Sequence, residues 1–149
     1  MLSLGTRLCQ DGAKMVIKTI DKIHNGSISP IRQDSRLVTH APKIKKEMTY
    51  INWDWDNINI HNWIRGLAPV PGMITTLKGK RLRIFKSCIV EGSAQSPGKV
   101  VQSSENCFLI STGKGHLSIL DLQIEGKKRM TIEKFLRGTK IKPGEILGI

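Results

Sequence analysis

Between residues 73 and 124 the chain breaks into short β-prone segments separated by glycine-bearing turns, and this constrains the fold more than any other feature. Met73–Leu77 and Lys80–Val90 flank Lys78-Gly79, a two-residue hairpin signature, because glycine accepts the positive φ that such a turn demands. Segments 98–102, Cys107–Ser111 and His116–Ile124 follow, punctuated by turns at 103–106 and Gly113-Lys114-Gly115. Five short strands present edges that must be paired or covered, and curling the sheet on itself removes them. The pattern predicts a small closed or partly open barrel.

Helical periodicity flanks this region. Leu4, Leu8, Met15, Ile20 and Ile23 recur near a 3.6-residue spacing with Asp11, Lys14, Lys18 and Lys22 between them, which predicts an amphipathic helix over 3–24. Asn25-Gly26 ends it. One helix cannot bury its own stripe, so this one either packs on the rest of the chain or closes another domain. Residues 27–50 carry no period and include Pro30, Pro42, Lys43, Lys45 and Lys46, the mark of an extended, basic connector. A second helix starts at Asp54 or Asp56, either of which can cap it. It buries Ile60, Ile64 and Leu67 and stops at Gly66 and Pro69. A short helix over 131–137 has Thr131 as its cap, an i, i+4 pair between Glu133 and Arg137, and Gly138 as its stop. The barrel core draws on Ile64, Leu82, Ile84, Leu117 and Ile119.

Charge narrows the function. Lys and Arg number 24 against 12 Asp and Glu, a net +12, which favours polyanions and above all nucleic acid. Cys9, Cys88 and Cys107 are odd in number and share no C-x-x-C spacing, so neither a disulfide framework nor a zinc site is expected. No apolar run approaches the roughly 18 residues of a membrane span, and no signal-peptide pattern opens the chain. A cytoplasmic protein without membrane association follows.

Three groups of cations stand out: Lys43, Lys45 and Lys46 on the connector; Lys78, Lys80, Arg81 and Arg83 on the first hairpin; Lys127, Lys128 and Arg129 before the last helix. Such groups neutralise phosphates and release counterions with little reading of sequence, whereas the plain alternative is a solvated face. Trp53, Trp55 and Trp63 can stack on unpaired bases, although their place at a helix entry favours packing, Trp53 most of all. Arg65 is a candidate partner for a carbonyl or carboxylate. Asp54 and Asp56 read as caps rather than as an acid–base pair, and no glycine loop forms a phosphate cradle. No catalytic residue, metal ligand or cofactor-binding residue is indicated.

The order of Ala41-Pro42-Lys43-Ile44-Lys45-Lys46-Glu47, Ile51-Asn52-Trp53, Ile60-His61-Asn62-Trp63-Ile64-Arg65-Gly66-Leu67 and Pro69-Val70-Pro71-Gly72 resembles the interdomain joint of methionyl-tRNA formyltransferases. The resemblance continues through Thr75-Thr76-Leu77-Lys78-Gly79-Lys80-Arg81-Leu82, Pro97-Gly98-Lys99-Val100, 113–122, Glu125-Gly126-Lys127-Lys128-Arg129-Met130, Phe135-Leu136-Arg137-Gly138 and Lys142-Pro143-Gly144. It implies an α+β, mainly β architecture: an OB-like five-stranded barrel with a preceding helix and a short C-terminal helix. The N-terminal helix would be left from a missing α/β domain. Residues 1–28 would be the terminal helix of that catalytic domain, 29–50 a basic linker and 51–149 the tRNA-binding domain.

The resemblance further implies initiator methionyl-tRNA as partner, with no DNA expected, and 10-formyltetrahydrofolate as co-substrate of the full enzyme only. It leaves open a separately encoded catalytic domain. The family's catalytic domain uses an Asn-x-His pair, a Ser-Leu-Leu-Pro run and a later Asp, and none of these can be carried over here. His116-Leu117-Ser118-Ile119-Leu120 echoes part of that site, but Lys114 and Asp121 stand where the Asn and Pro belong, and Leu117, Ile119 and Leu122 fit a buried strand. The fragment is expected to be inactive alone. Two alternatives remain open: a free-standing OB-type RNA-binding module, or the C-terminal domain of a folate hydrolase or sugar-nucleotide formyltransferase of the same superfamily.

Overall fold

The computed structural model describes residues 2–93 and 95–148. The chain forms two compact units, Met1–Lys43 and Ile44–Ile149.

The first unit is dominated by α1 (Leu2–His24). Its C-terminal end is closed as the sequence predicts: Gly26 takes φ 65°, and the Ser27 N–H donates to the Lys22 carbonyl at 2.9 Å. The apolar stripe is exposed, with Leu8 at 61%, Met15 at 66% and Ile17 at 63%. Beyond α1 the backbone is irregular except for one 3-10 turn, Ser35–Leu37, which Asp34 caps by accepting from the Arg36 N–H at 3.0 Å.

The second unit opens with a correction. Lys45 is extended, but Lys46–Thr49 closes into a 3-10 turn, stabilised where the Thr49 hydroxyl donates to the Lys46 carbonyl at 2.7 Å. α2 (Asn57–Leu67) follows, with Asp56 rather than Asp54 as its cap: the Asp56 carboxylate accepts from the Asn59 N–H at 2.6 Å. Ile60, Ile64 and Leu67 form the buried stripe. Gly66 does not end the helix, because the Ala68 N–H still donates to the Ile64 carbonyl at 3.0 Å. Pro69 ends it by holding Ala68 extended.

Among the described residues there are six strands rather than five: β1 (Met73–Leu77), β2 (Lys80–Val90), β3 (Val100–Ser104), β4 (Cys107–Ser111), β5 (His116–Ile124) and the two-residue β6 (Met130–Thr131). Four match the expected bounds. β3 starts two residues late, because Gly98 sits at φ 78°, outside strand conformation, and the ladder is bulged between Val100 and Gln102. All pairings are antiparallel in the order β1-β2-β5-β4-β3, with β6 on β5. α3 (Ile132–Gly138) closes the succession of elements. Glu133 does not pair with Arg137; its carboxylate accepts from the Thr131 hydroxyl at 2.8 Å, which also explains why Thr131 provides no side-chain cap.

β1 and β3 end the sheet and do not pair with each other. The C-terminal segment spans the gap. Val100 N–H donates to the Glu145 carbonyl at 2.7 Å, and Gly144 N–H to the Val100 carbonyl at 2.8 Å. Leu147 N–H donates to the Gly98 carbonyl at 2.9 Å, and Gly148 N–H to the Thr76 carbonyl at 3.1 Å. This arrangement is compatible with the OB-like barrel expected from the sequence, in a form whose end strands are joined by a tail instead of by a direct ladder. Inside lie Ile60, Ile64, Leu82, Ile84, Phe108, Ile110, Leu117, Ile119 and Leu122, all fully buried. Each contributes roughly 1.5–3 kcal/mol of transfer free energy. α2 packs on β2, and α3 seats Phe135 against Phe108 with ring centroids 6.5 Å apart.

Lys78 fastens the tail. Its Nζ lies 3.1 Å from Glu145 Oε1 and donates to the Lys140 carbonyl at 2.8 Å. Burial pushes the Glu145 carboxyl upward, but the Lys142 N–H and the Lys78 ammonium outweigh it and hold the group below its ordinary 4.5. A lowered folded-state pKa gives stability that is complete above the ordinary value and is lost as pH falls through the folded one. Below about pH 4.5 the wild-type chain should therefore lose stability faster than Glu145→Gln, and urea midpoints across that range measure it. Parallel pH profiles for the two proteins would rule the clamp out.

The exposed stripe of α1 generates a second expectation, since apolar surface left in water costs about 25 cal/mol per Å². The chain should self-associate in light scattering, and a chain beginning at Ser27 should be monomeric and folded. A monomeric full chain, or a shortened one that melts, would show that α1 needs no further cover.

Candidate nucleic-acid interface

The three expected cation groups fare differently. Lys43 closes the first unit. Lys45 and Lys46 are exposed at the entry to the second, and neither forms an ion pair among the described residues. Their charges are available to solvent or to a polyanion.

β2 alternates Arg81 and Arg83 outward with Leu82 and Ile84 inward, as the two-residue period of a half-buried strand requires. Arg83 stands opposite Gln123 on β5. The Arg81 main chain is bound on both sides by Glu125, whose N–H donates to the Arg81 carbonyl at 2.9 Å and whose carboxylate accepts from the Arg81 N–H at 3.2 Å. Arg81, Arg83, Gln123 and Gly126 line a small cleft of about 110 Å³. Tertiary pairing thus sets the hairpin arginines beside the turn that carries Lys127 and Lys128, groups more than forty positions apart in sequence. Lys80, Lys127 and Lys128 are exposed.

Two of the ten expected residues already have partners. Lys78 is the tail fastener described above. Arg129 grips Asp121 with two bonds, Nε to Oδ1 at 2.7 Å and Nη2 to Oδ2 at 2.9 Å, and lies 4.5 Å over the Phe85 ring. Asp121 holds the Arg129 guanidinium above its ordinary value.

Three further features were not legible in the residue order. Arg137, Lys140 and Lys142 meet Ser103, Ser104 and Asn106 around a cleft of about 820 Å³, which Glu105 and Glu133 also line. The density of lysine and arginine over 134–142 was the only available signal. Secondly, Tyr50 joins the tryptophans on a groove of about 940 Å³. Trp53 is buried as expected, its indole N–H donating to the Thr75 hydroxyl at 3.1 Å, whereas Trp55 and Trp63 are half-buried. Thirdly, His61 shares a 2.9 Å hydrogen bond with Ser87, and burial, then the Arg65 charge, hold it below the ordinary histidine value. Arg65 itself reaches only the Asn62 side chain, at 3.5 Å.

His116 is a strand residue. It is 6% exposed, and among the described residues its Nδ1 has no hydrogen-bond partner to position it for proton transfer. Among the described residues no three His, Cys, Asp or Glu side chains gather as a metal site would require, and no helix is long and apolar enough to cross a membrane.

Comparison with known proteins identifies the family. Residues 43–140 match the family described as formyl transferase, C-terminal domain. The methionyl-tRNA formyltransferase of Citrifermentans bemidjiense is 38% identical over 98% of this chain and 46% of its own length. That of Alkaliphilus oremlandii is 39% identical over 97% of this chain and 47% of its own. The chain thus spans about half the length of the curated relatives it matches. Among solved structures, HypX from Aquifex aeolicus superposes on 87% of this chain and 24% of its own with a TM-score of 0.59, at 20% identity, a likeness of fold alone. With two thirds of its residues in one continuous match, the chain belongs to the formyl transferase C-terminal domain family.

Proposed function

We propose that the chain is the tRNA-holding C-terminal portion of a methionyl-tRNA formyltransferase, acting in the cytoplasm in translation initiation. The observation that carries this reading is the continuous similarity to methionyl-tRNA formyltransferases across 98% of the chain. The exposed cations supply the physical reason. Lys45, Lys46, Lys80, Arg81, Lys127 and Lys128 keep their charges outward, with Arg83 half-buried beside them, and cations spaced along a surface track a phosphate backbone with little regard to base sequence. In the complete enzyme this surface would hold initiator methionyl-tRNA while an α/β domain moved the formyl group from 10-formyltetrahydrofolate to the methionyl amino group. Residues 1–28 would then be the closing helix of that α/β domain, which accounts for an apolar stripe left in water. A folate hydrolase or sugar-nucleotide formyltransferase has no use for a net charge of +12, which weighs against those readings.

The 149 residues alone are expected to be inactive, because the Ser-Leu-Leu-Pro run associated with catalysis is not among them and the Asn-x-His spacing that is present, Asn59-Ile60-His61, lies within α2 with His61 bonded to Ser87. Formyl transfer to methionyl-tRNA above buffer background, measured by acid gel or mass spectrometry, would sink this expectation.

Replacing Lys43, Lys45 and Lys46 with Ala should weaken binding to any tRNA. It should also reduce the salt dependence of log K by about two to three, one unit or slightly less for each lost phosphate contact. Filter binding across a salt series reads both effects. Weaker binding of initiator tRNA alone with an unchanged salt slope would mean that these lysines do not act through phosphates.

A further inference from the structure

All three tryptophans and the single tyrosine of the chain line the 940 Å³ groove of the second unit, while the three phenylalanines are buried elsewhere. Trp53 and Leu147 form its floor, 6% and 2% exposed. Tyr50 at 47% and Ile146 at 44% leave much of their apolar surface open. Trp55 and Trp63 stand 6.1 Å apart at 34° and are only half-buried. Core packing explains Trp53 and one side of Trp55 and Trp63, which pack partly against the core, but it leaves the rest of these rings and half of Tyr50 on one open surface.

The polar border of the groove adds chemistry. Glu47 and Asp54 line it and offer only acceptors. The Asn52 carbonyl is taken by the Asp54 N–H at 3.0 Å, so its amide hydrogens are what it can offer. Lys45 and Lys46 lie immediately before this stretch, exposed and without ion pairs among the described residues. Tyr50 is bridged to Ile74, Ile74 stands opposite Arg83, and Arg83 opposite Gln123. Sheet spacing of about 4.8 Å per step therefore places Tyr50 two strand steps from Arg83, with the buried Ile74 between them.

We infer that this groove takes an unpaired base of single-stranded RNA, stacked on Tyr50 and the Trp55 indole, with flanking phosphates on Lys45 and Lys46. Aromatic faces stack on any base. The carboxylates of Glu47 and Asp54 make the site selective, since they accept from an exocyclic amino group and repel a carbonyl oxygen. Cytosine carries that amino group where uracil carries oxygen, so the groove prefers cytosine to uracil. Lys45 and Lys46, exposed immediately before the groove, favour a polyanionic strand whose base enters between the carboxylates while its phosphates stay on the lysines. The inference rests on the RNA-binding reading above and extends it from phosphates to bases.

Labelled oligocytidylate, oligouridylate and an abasic strand of equal length, titrated with the full chain in fluorescence anisotropy, test it. Oligocytidylate should bind tightest and the abasic strand weakest. Tyr50→Ala should weaken oligocytidylate by about tenfold and leave the abasic strand unchanged, while Tyr50→Phe keeps the stack and the affinity. Tyr50 is half-exposed, and thermal melting verifies that its variants stay folded. Trp55→Leu should follow Tyr50→Ala, whereas joint replacement of Lys45 and Lys46 by Ala should weaken all three strands alike. Equal affinity for base-bearing and abasic strands, or an equal loss on all of them with Tyr50→Ala, overturns the inference. Should the chain bind tRNA but discriminate no strand, the base site falls and the phosphate reading stands; should it bind no RNA at all, both fall.

Discussion

The fold depends on how its two open sheet edges are satisfied. β1 and β3 each present main-chain N–H and C=O groups that cannot be left unpaired beside a buried core. Residues 144–148 carry bonds to both edges, with Leu147 inserted into the core between them. A tail attached by so few bonds would fray unless its ends were fixed. One fixing is electrostatic, the Lys78–Glu145 pair at 3.1 Å. The other is steric: a Cβ on Gly98 would collide with the Leu147 carbonyl, and one on Gly148 would press on the Trp53 indole. The same tryptophan bonds Thr75 on β1 through its ring nitrogen and accepts the Gly113 N–H on its carbonyl at 2.9 Å. One residue therefore ties together the helix entry, the first strand, the β4–β5 turn and the tail. Gly113 shows how tight the joint is, because a Cβ there would collide with the Asp54 carbonyl.

This construction organises the charged surface. Lys78 is drawn into holding the tail, and Arg129 is held by Asp121 over Phe85. Both would be counted as nucleic-acid ligands from sequence alone, yet each already has a carboxylate within 3.1 Å. Exposed pairs of this kind add little to stability, but they lower the positive potential available to a polyanion. The outward charge is then concentrated on Lys45, Lys46, Lys80, Arg81, Lys127 and Lys128, with Arg83 between the hairpin and the β5–β6 turn.

The sequence by itself determined the local elements of this protein. β1, β2, β4 and β5 lie at the expected bounds, since turn glycines and two-residue alternation act over a few residues and need no distant partner. The same holds for α2 and for the burial of Ile64, Leu82, Ile84, Leu117 and Ile119. Where a local signal competed with another, it failed: Gly66 was overruled by continuing helix bonds, and Glu133 chose Thr131 over Arg137. Only the tertiary structure decided the rest. The tail across the sheet edges and the Lys78–Glu145 pair join residues far apart in the chain, while the Arg129–Asp121 pair and the grouping of Tyr50 with three tryptophans depend on how turns and strands place near neighbours. No periodicity reports such contacts, because they are fixed by the order in which strands pair and by which groups remain to satisfy one another once the core has closed.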